Sequence, residues 1–361
     1  KKPDPEKFDA GADVSFGSIE RGDGVSTVEG FVNIPVQSGI SAIRLVAWYD
    51  KSDGFVDNVS TTRTYLNGAT VSNGNFSKTA YNEEKTTGVR GSFKTSLGDK
   101  WSAMVSGFVQ NSETSGAWDH DPTRYDDLEV ARFGPEFGDL SYGQVAWSIN
   151  GDLGFADIVY SGSFLDRDTK RTSDYSDYVE YASFGAWVQQ FACDDYYWYG
   201  NVNCNDPSMF FEGDYQSEQT THEVRINSNG EGPLSWIAGA YFEDNSSDNF
   251  IFWDMPGIQH EGGPGAYYTS SYGGEPLPNE WWSADWESEW KQTAFFGEVS
   301  YDINDRLTAT VGARMFESKF SSPGGGWSGY FYDSKSADLA PGNGDSTDDV
   351  IYKLNLTYDV N

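Results

Sequence analysis

Phe295-Phe296-Gly297-Glu298-Val299-Ser300-Tyr301-Asp302-Ile303-Asn304-Asp305-Arg306-Leu307-Thr308-Ala309-Thr310-Val311-Gly312-Ala313-Arg314-Met315 holds the repeat from which the fold is read. After the turn at Ile303-Asn304-Asp305, Leu307, Ala309, Val311, Ala313 and Met315 fall on one side of a strand. Thr308, Thr310, Gly312 and Arg314 fall on the other, because successive side chains of a strand point to opposite faces. One face is apolar and the other polar. Elsewhere Val89, Gly91, Phe93 and Leu97 oppose Arg90, Ser92, Lys94 and Ser96, and Tyr352, Leu354, Leu356 and Tyr358 oppose Lys353, Asn355, Thr357 and Asp359.

Such period-2 stretches, bounded by Gly, Pro, Asn and Asp, predict about twelve strands of roughly 10 to 15 residues. They cover 8–18, 25–36, 40–51, 83–97, 101–112, 141–150, 154–165, 216–228, 234–247, 288–302, 306–320 and 350–360. No segment shows sustained helical periodicity. The connections alternate strictly: 37–39, 98–100, 151–153, 229–233 and 303–305 are short and carry turn residues. Between them lie 19–24, 52–82, 113–140, 166–215, 248–287 and 321–349, of 6, 31, 28, 50, 40 and 29 residues. All long loops therefore emerge at one end of the strands. A soluble sandwich has no reason to segregate its loops, whereas a membrane barrel has short turns on one side and long loops on the other. The predicted fold is all-β, an antiparallel up-and-down transmembrane β-barrel. No fixed repeat period runs through the chain, which argues against a propeller or solenoid.

Composition agrees. The chain of 361 residues holds 13 Trp, 22 Tyr, 23 Phe and 40 Gly but 13 Leu, a β-rich balance. With 24 Lys and Arg against 56 Asp and Glu, the net charge of −32 excludes a nucleic-acid binder that works by neutralising phosphates. No run of 18 apolar residues occurs and mean hydropathy is −0.59, which excludes helical membrane spans but is blind to barrels. Lys1-Lys2-Pro3-Asp4-Pro5 lacks the apolar stretch of a secretory signal.

Candidate sites lie in the long loops. Cys193 and Cys204, eleven apart in one loop, predict a disulfide, and the absence of a CxxC pair weakens a metal or redox reading. The loop 248–287 carries Phe250, Phe252, Trp253, Tyr267, Tyr268, Tyr272, Trp281, Trp282 and Trp286, with seven carboxylates and no Lys or Arg. Rigid rings at that density suit stacking on a planar ligand, so Trp253, Tyr267, Tyr268, Trp281, Trp282 and Trp286, with Tyr196, Tyr197 and Trp198, are the candidate ligand contacts. The competing reading is that these rings pack the loop against itself or sit in an interfacial girdle. Acidic sets recur at Asp119, Asp121, Asp126 and Asp127, at Asp166, Asp168, Asp174 and Asp177, and at Asp345, Asp348 and Asp349. None fits the twelve-residue calcium loop, so a solvated acidic surface is favoured over loop-bound calcium and no other cofactor is expected. Such a surface disfavours an anionic ligand, although Arg63, Arg124, Arg132, Arg167 and Arg171 are loop cations able to recruit one. Enzymatic activity is not expected: His120, His222 and His260 are the only histidines, HExxH and GxSxG are absent, and His222 alternates with Val224 and Ile226 as a structural residue does.

Several stretches carry a resemblance. Lys1-Lys2-Pro3-Asp4, Asn33-Ile34-Pro35-Val36, Ala42-Ile43-Arg44, Asp53-Gly54-Phe55-Val56-Asp57-Asn58, His222-Glu223-Val224-Arg225-Ile226, Gly232-Pro233-Leu234-Ser235-Trp236 and Gly239-Ala240-Tyr241-Phe242 do so in order. The hairpin from Phe295 to Arg314 is the most specific of them. On these the chain resembles the barrel domain of TonB-dependent outer-membrane receptors of the iron-complex and siderophore type. Barrels of that kind have about 22 strands around a plugged lumen. The resemblance therefore implies that residues 1–361 are one piece, the N-terminal half or more, of a larger barrel whose plug and closing strands are absent here. It also implies active transport of a scarce nutrient across the outer membrane of a Gram-negative bacterium, most often a ferric siderophore, energised through TonB. The implied partners are the TonB complex through the plug, outer-membrane lipid and lipopolysaccharide, and the small nutrient. TonB-dependent uptake of carbohydrate or another nutrient, a passive porin and a secreted carbohydrate-binding β protein are the alternatives.

Overall fold

The computed structural model describes residues 1–180, 188–194, 202–258, 279–322, 325–329 and 342–360. Twelve long strands form one antiparallel sheet in which each strand pairs with the next in sequence. They are β1 (Asp9–Ser18), β2 (Gly24–Gln37), β3 (Ser41–Ser52), β4 (Glu84–Ser96), β5 (Trp101–Ser115) and β6 (Phe137–Asp152). β7 (Ala156–Asp174), β8 (Phe210–Ser228), β9 (Leu234–Asp254), β10 (Glu280–Asn304), β11 (Leu307–Ser322) and β12 (Gly342–Tyr358) complete the path. A short strand, Gly325–Gly329, adds to β10 alone. The meander is the up-and-down wall expected from the alternating turns and loops. Among the described residues β1 and β12 do not pair with each other.

The turn-side ends of the strands fall within two residues of the predicted ones, but the loop-side ends run farther. β7 continues to Asp174 instead of stopping at 165, β9 to Asp254 instead of 247, and β10 begins at Glu280 instead of 288. In the β7 extension both faces are open to water, and in the β10 extension Glu280, Trp281, Ser283 and Ala284 are buried by the loops, so the apolar alternation of the wall stops while the backbone ladder continues. The pattern of the sequence marks the apolar part of each strand, not its hydrogen-bonded length.

Burial is inverted relative to a water-soluble sheet. Val311 and Met315 are 60% and 55% exposed, while Thr310, next to Val311 but on the other face, is 8% exposed. The register extends this across the sheet. Val311 lies opposite Val299 and Leu354, Phe295 opposite Met315 and Ala240, and Val224 opposite Ala240 and Tyr160. Val105 lies opposite Trp147 and Phe93, and Ile43 opposite Phe93 and Ile34. Every residue so named is on one face, which forms a continuous apolar belt. Exposed apolar surface of that extent needs an apolar solvent.

The opposite face is polar and satisfied across strands by hydroxyl pairs: Ser92 with Ser106 (2.8 Å), Ser163 with Thr221 (2.8 Å), Ser247 with Ser288 (2.7 Å) and Ser300 with Thr310 (2.8 Å). Longer side chains join them. Arg314 donates to Gln292 at 2.9 Å and lies over the Tyr241 ring, and Lys353 donates to Glu298 at 2.7 Å. His222 belongs to the apolar face, hydrogen-bonded through Nδ1 to the Tyr160 hydroxyl at 2.9 Å and set against Trp147. That pairing satisfies its polar ring where water is excluded and assigns it to packing.

Candidate ligand-capture site

Segments that leave the strands at the loop end fold onto one another. Their backbone has no long ladder to join, so buried side-chain amides take its place. Asn58 donates from Nδ2 to the carbonyls of Phe76 (2.8 Å) and Arg132 (3.2 Å) and accepts from the Arg132 amide (2.7 Å). Asn82 accepts from the amides of Phe55 and Val56, both at 2.7 Å. Gln189 accepts from the Leu66 amide (2.6 Å) and donates to the Val179 carbonyl (2.9 Å). Tyr65, Val179, Val188, Phe191, Met209, Met255, Ile258 and Trp281 form a hydrophobic core shared by three loops, and Val56, Tyr81, Ala117 and Val130 form a second, smaller one. Cys193 and Cys204 face each other across a two-stranded ribbon and are joined in the expected disulfide. Gly116, at φ +69°, turns the chain so close to Tyr81 that a Cβ there would sit 2.3 Å from the Tyr81 carbonyl oxygen. A side chain at that position would push the loop out of place.

The loops and strand ends enclose a cavity of about 990 Å³ lined by Trp118, Asp119, Arg132, Glu136, Tyr175 and Tyr178 together with the loop ends of β5, β6 and β7. Trp118 is 52% exposed, so its ring is presented and not packed away. Tyr175 links this cavity to an aromatic cluster. Its ring centroid lies 5.7 Å from Tyr178, 6.1 Å from Phe211 and 5.9 Å from Trp253, and Trp253 lies 4.7 Å from Trp282. Of the rings expected to hold a ligand, none among the described residues lines the cavity: Trp253 touches its wall only through Tyr175, and Trp253 and Trp282 pack against the loop core. Trp281 is part of that core, 5.2 Å from Phe191, and Trp286 lines a separate recess of about 400 Å³ with Asp214, Asp248, Phe250 and Asp285. Tyr196, Tyr197, Trp198, Tyr267 and Tyr268 lie outside the described residues. Trp118, Tyr175, Tyr178 and Phe211 were not among the sequence candidates. Tyr175 and Tyr178 share one short segment and Trp118 and Phe211 come from two others, and the topology gathers the three.

The charges are arranged as a lattice. Arg132 grips Asp119 at 2.7 and 2.9 Å and reaches Asp177 (3.3 Å) and Glu136 (3.4 Å). Arg63, buried against the Phe133 ring, donates to Asp177 at 2.6 Å, and Arg124 binds Glu180 at 2.9 Å. Arg63, Arg124 and Arg132, expected as cations open to an anion, thus hold loop to loop. Asp119 and Asp177 are likewise ion-paired, not merely solvated, and Asp174 caps the Ser176 amide and accepts from the Phe133 amide. Among the described residues no three His, Cys, Asp or Glu side chains converge in a way that would hold a metal ion. Burial pushes the Glu136 carboxyl up to about 7 despite Arg132 beside it. Asp174 is raised by burial as well, while Arg132 is held above its usual value because Glu136 and Asp119 outweigh the cost of burying its charge.

No protein-family profile and no curated protein matches this sequence. Solved structures do match its fold. The ferric yersiniabactin uptake receptor FyuA from Yersinia pestis superposes with a TM-score of 0.64 at 11% identity, over 99% of this chain and 44% of that one. The siderophore receptor PiuA from Acinetobacter baumannii gives 0.58 at 13% identity, over 99% and 48%. The copper transporter OprC gives 0.55 at 8% identity, over 100% and 44%. The chain spans less than half the length of each of these receptors. With its inverted burial, one-sided loops and twelve-strand antiparallel meander, it has the fold of part of the β-barrel wall of TonB-dependent outer-membrane receptors.

Proposed function

We propose that this chain is wall and external loop structure of a TonB-dependent transporter that imports a scarce nutrient across the outer membrane of a Gram-negative bacterium, with a ferric siderophore as the cargo. The observation that carries the proposal is the position of the 990 Å³ cavity, lined by exposed rings at the loop end of a wall whose outer face is apolar. With the long loops facing outward, as in outer-membrane barrels, that cavity opens to the outside of the cell above the polar face that lines the way in. Capture there needs no covalent chemistry. Trp118, Tyr175 and Tyr178 supply flat surfaces at low entropy cost, and the arginine-carboxylate lattice holds them in place without offering surplus positive charge. The cavity thus suits a chelate recognised through aromatic or heterocyclic rings better than one held by many negative charges. A passive pore and a carbohydrate carrier make different predictions.

The test uses the complete gene product. Under iron limitation, gene-dependent accumulation of a labelled ferric chelate that stops when the proton-motive force is collapsed supports active import. Uptake that continues after collapse assigns a passive pore, and chelate uptake indifferent to the gene moves the cargo to carbohydrate or another nutrient.

A further inference from the structure

Arg167 and Arg171 are the two expected loop cations that the ion-pair lattice leaves out. The structure places them on strand β7, four residues apart on its polar face, opposite the side that carries Phe164. Lys170, on the other face of the same strand, lies 3.7 Å from Asp214. Among the described residues neither Arg167 nor Arg171 has a carboxylate within ion-pair distance; Arg171 donates from Nε to the Ser173 hydroxyl at 2.9 Å. In a chain with 56 acidic residues against 24 basic ones, two arginines without an acid partner run against the composition.

The register shows why no acid is near. Arg171 lies opposite Gly138 and Gly213, Thr169 opposite Leu140 and Tyr215, and Arg167 opposite Tyr142 and Ser217. The same three rows continue to Thr114, Ser112 and Gln110 on β5 and to Ile251, Asn249 and Ser247 on β9. From β5 to β9 these rows hold no carboxylate. The first along the row of Arg171 is Glu84 on β4, three strands away, about 14 Å at 4.8 Å per strand. Gly213 leaves room for the Tyr215 ring, which an added Cβ would meet at 2.6 Å, and that ring lies within electrostatic reach of Arg171.

Arg171 lines the cavity together with Trp118, Tyr175 and Tyr178, so a molecule stacked on those rings shares an enclosure with its guanidinium. Arg167 lies about 13 Å nearer the membrane at 3.3 Å per residue, just below Leu140 and Thr169, the innermost cavity residues of β6 and β7. A guanidinium offers paired N–H donors in one plane, which match the two oxygens of a carboxylate. Here no acid of the chain competes for them, and a group moving inward along the polar face meets first one arginine and then the other.

We propose that Arg171 and Arg167 form an anion-selective path that favours ring-bearing chelates with one free carboxylate: Arg171 binds that carboxylate in the cavity, and Arg167 receives it on the way in. The inference rests on the cavity being the place of capture and names a group that the cargo carries.

The test uses the full-length receptor and two probes, a ferric complex of an aryl chelator with one free carboxylate and the methyl ester of the same complex. Binding is followed by quenching of tryptophan fluorescence in detergent, and uptake in iron-limited cells. Wild type binds the acid at least tenfold more tightly than the ester, about 1.4 kcal/mol. Arg171→Gln removes that preference and leaves ester binding unchanged. Arg167→Gln binds the acid within twofold of wild type but imports it at least fivefold more slowly, with ester uptake unaffected. Heat-modifiable migration on gels verifies that each variant is folded. Equal affinity of wild type for both probes, an equal loss for both in Arg171→Gln, or acid uptake untouched by Arg167→Gln overturns the proposal. A wild-type receptor that binds neither probe overturns the underlying reading of the cavity instead.

Discussion

Val311→Arg separates a membrane wall from a water-soluble sheet by magnitude. Val311 is 60% exposed and lies between Val299 and Leu354 on the apolar face. It is four residues from the turn-side start of β11 at Leu307, which puts it about 10 Å into a band about 25 Å tall, near the midplane. Arginine on the lipid face at that depth costs about 2–4 kcal/mol. In a soluble sheet the same substitution at so exposed a position changes stability by about 0.5 kcal/mol or less. The neighbouring Thr310→Val provides the sign control. Thr310 is buried on the polar face and bonded to Ser300 at 2.8 Å, so losing that bond destabilises by about 1 kcal/mol even though the new side chain is more apolar. The assay is reversible denaturant unfolding of the full-length protein in lipid vesicles, followed by tryptophan fluorescence. A Val311→Arg variant within about 0.5 kcal/mol of wild type would refute the lipid-facing assignment of this face.

The loop assembly makes its own predictions. Trp281→Ala removes a ring from the loop core and destabilises that assembly by about 3–5 kcal/mol, read as faster protease cleavage in the loops, whereas Trp118→Ala leaves cleavage unchanged and weakens chelate binding. Replacing Cys193 and Cys204 by Ser opens a ring of eleven-residue separation and lowers local stability by about 3 kcal/mol, seen as rapid hydrogen exchange around Gln189–Ala192 with the barrel strands still protected. Glu136 gives a pH dependence. Its folded carboxyl is raised from 4.5 to about 7, so its contribution is full below 4.5 and disappears as pH rises to about 7, and Asp174, also raised, acts in the same direction. Loop cleavage should therefore be slower at pH 5 than at pH 8, and Glu136→Gln should flatten the difference; a profile unchanged by that substitution rejects Glu136 as its source.

The wall was legible because its physics is local. A strand between lipid and a polar lumen must alternate, and Leu307 through Met315 do so residue by residue, which sets both register and face. The loop-side extensions were not legible, because residues such as Thr169 to Ser173 meet water on both faces and carry no period. The loop core was not legible. Aromatic density in one loop marked Trp253, Trp281 and Trp282 alike as ligand contacts, whereas Trp281 packs against Phe191 from a different loop and Trp253 and Trp282 pack against the same core. Nor does composition separate a recruiting arginine from a structural one. Arg132 and Asp177 are 45 residues apart in sequence, and the three-loop convergence on Asp177 exists only once the strands have brought those loops together.

The result is a chain with two kinds of interior. In the wall, stability comes from a backbone ladder and a hydroxyl lattice on one face, with lipid taking the place of a second packed layer on the other. In the loops, it comes from a small water-excluded core, amide side chains in place of a ladder, and paired charges. A chain built this way has little use for leucine and much for aromatic rings, serine, asparagine and aspartate, which is why its mean hydropathy is negative although one face of every strand is apolar. The division has a functional consequence. On the proposed function, the wall answers to membrane thickness and the loops to the ligand, so that residues such as Trp118 and Tyr178 are free to change with the cargo while the register of the strands stays as it is.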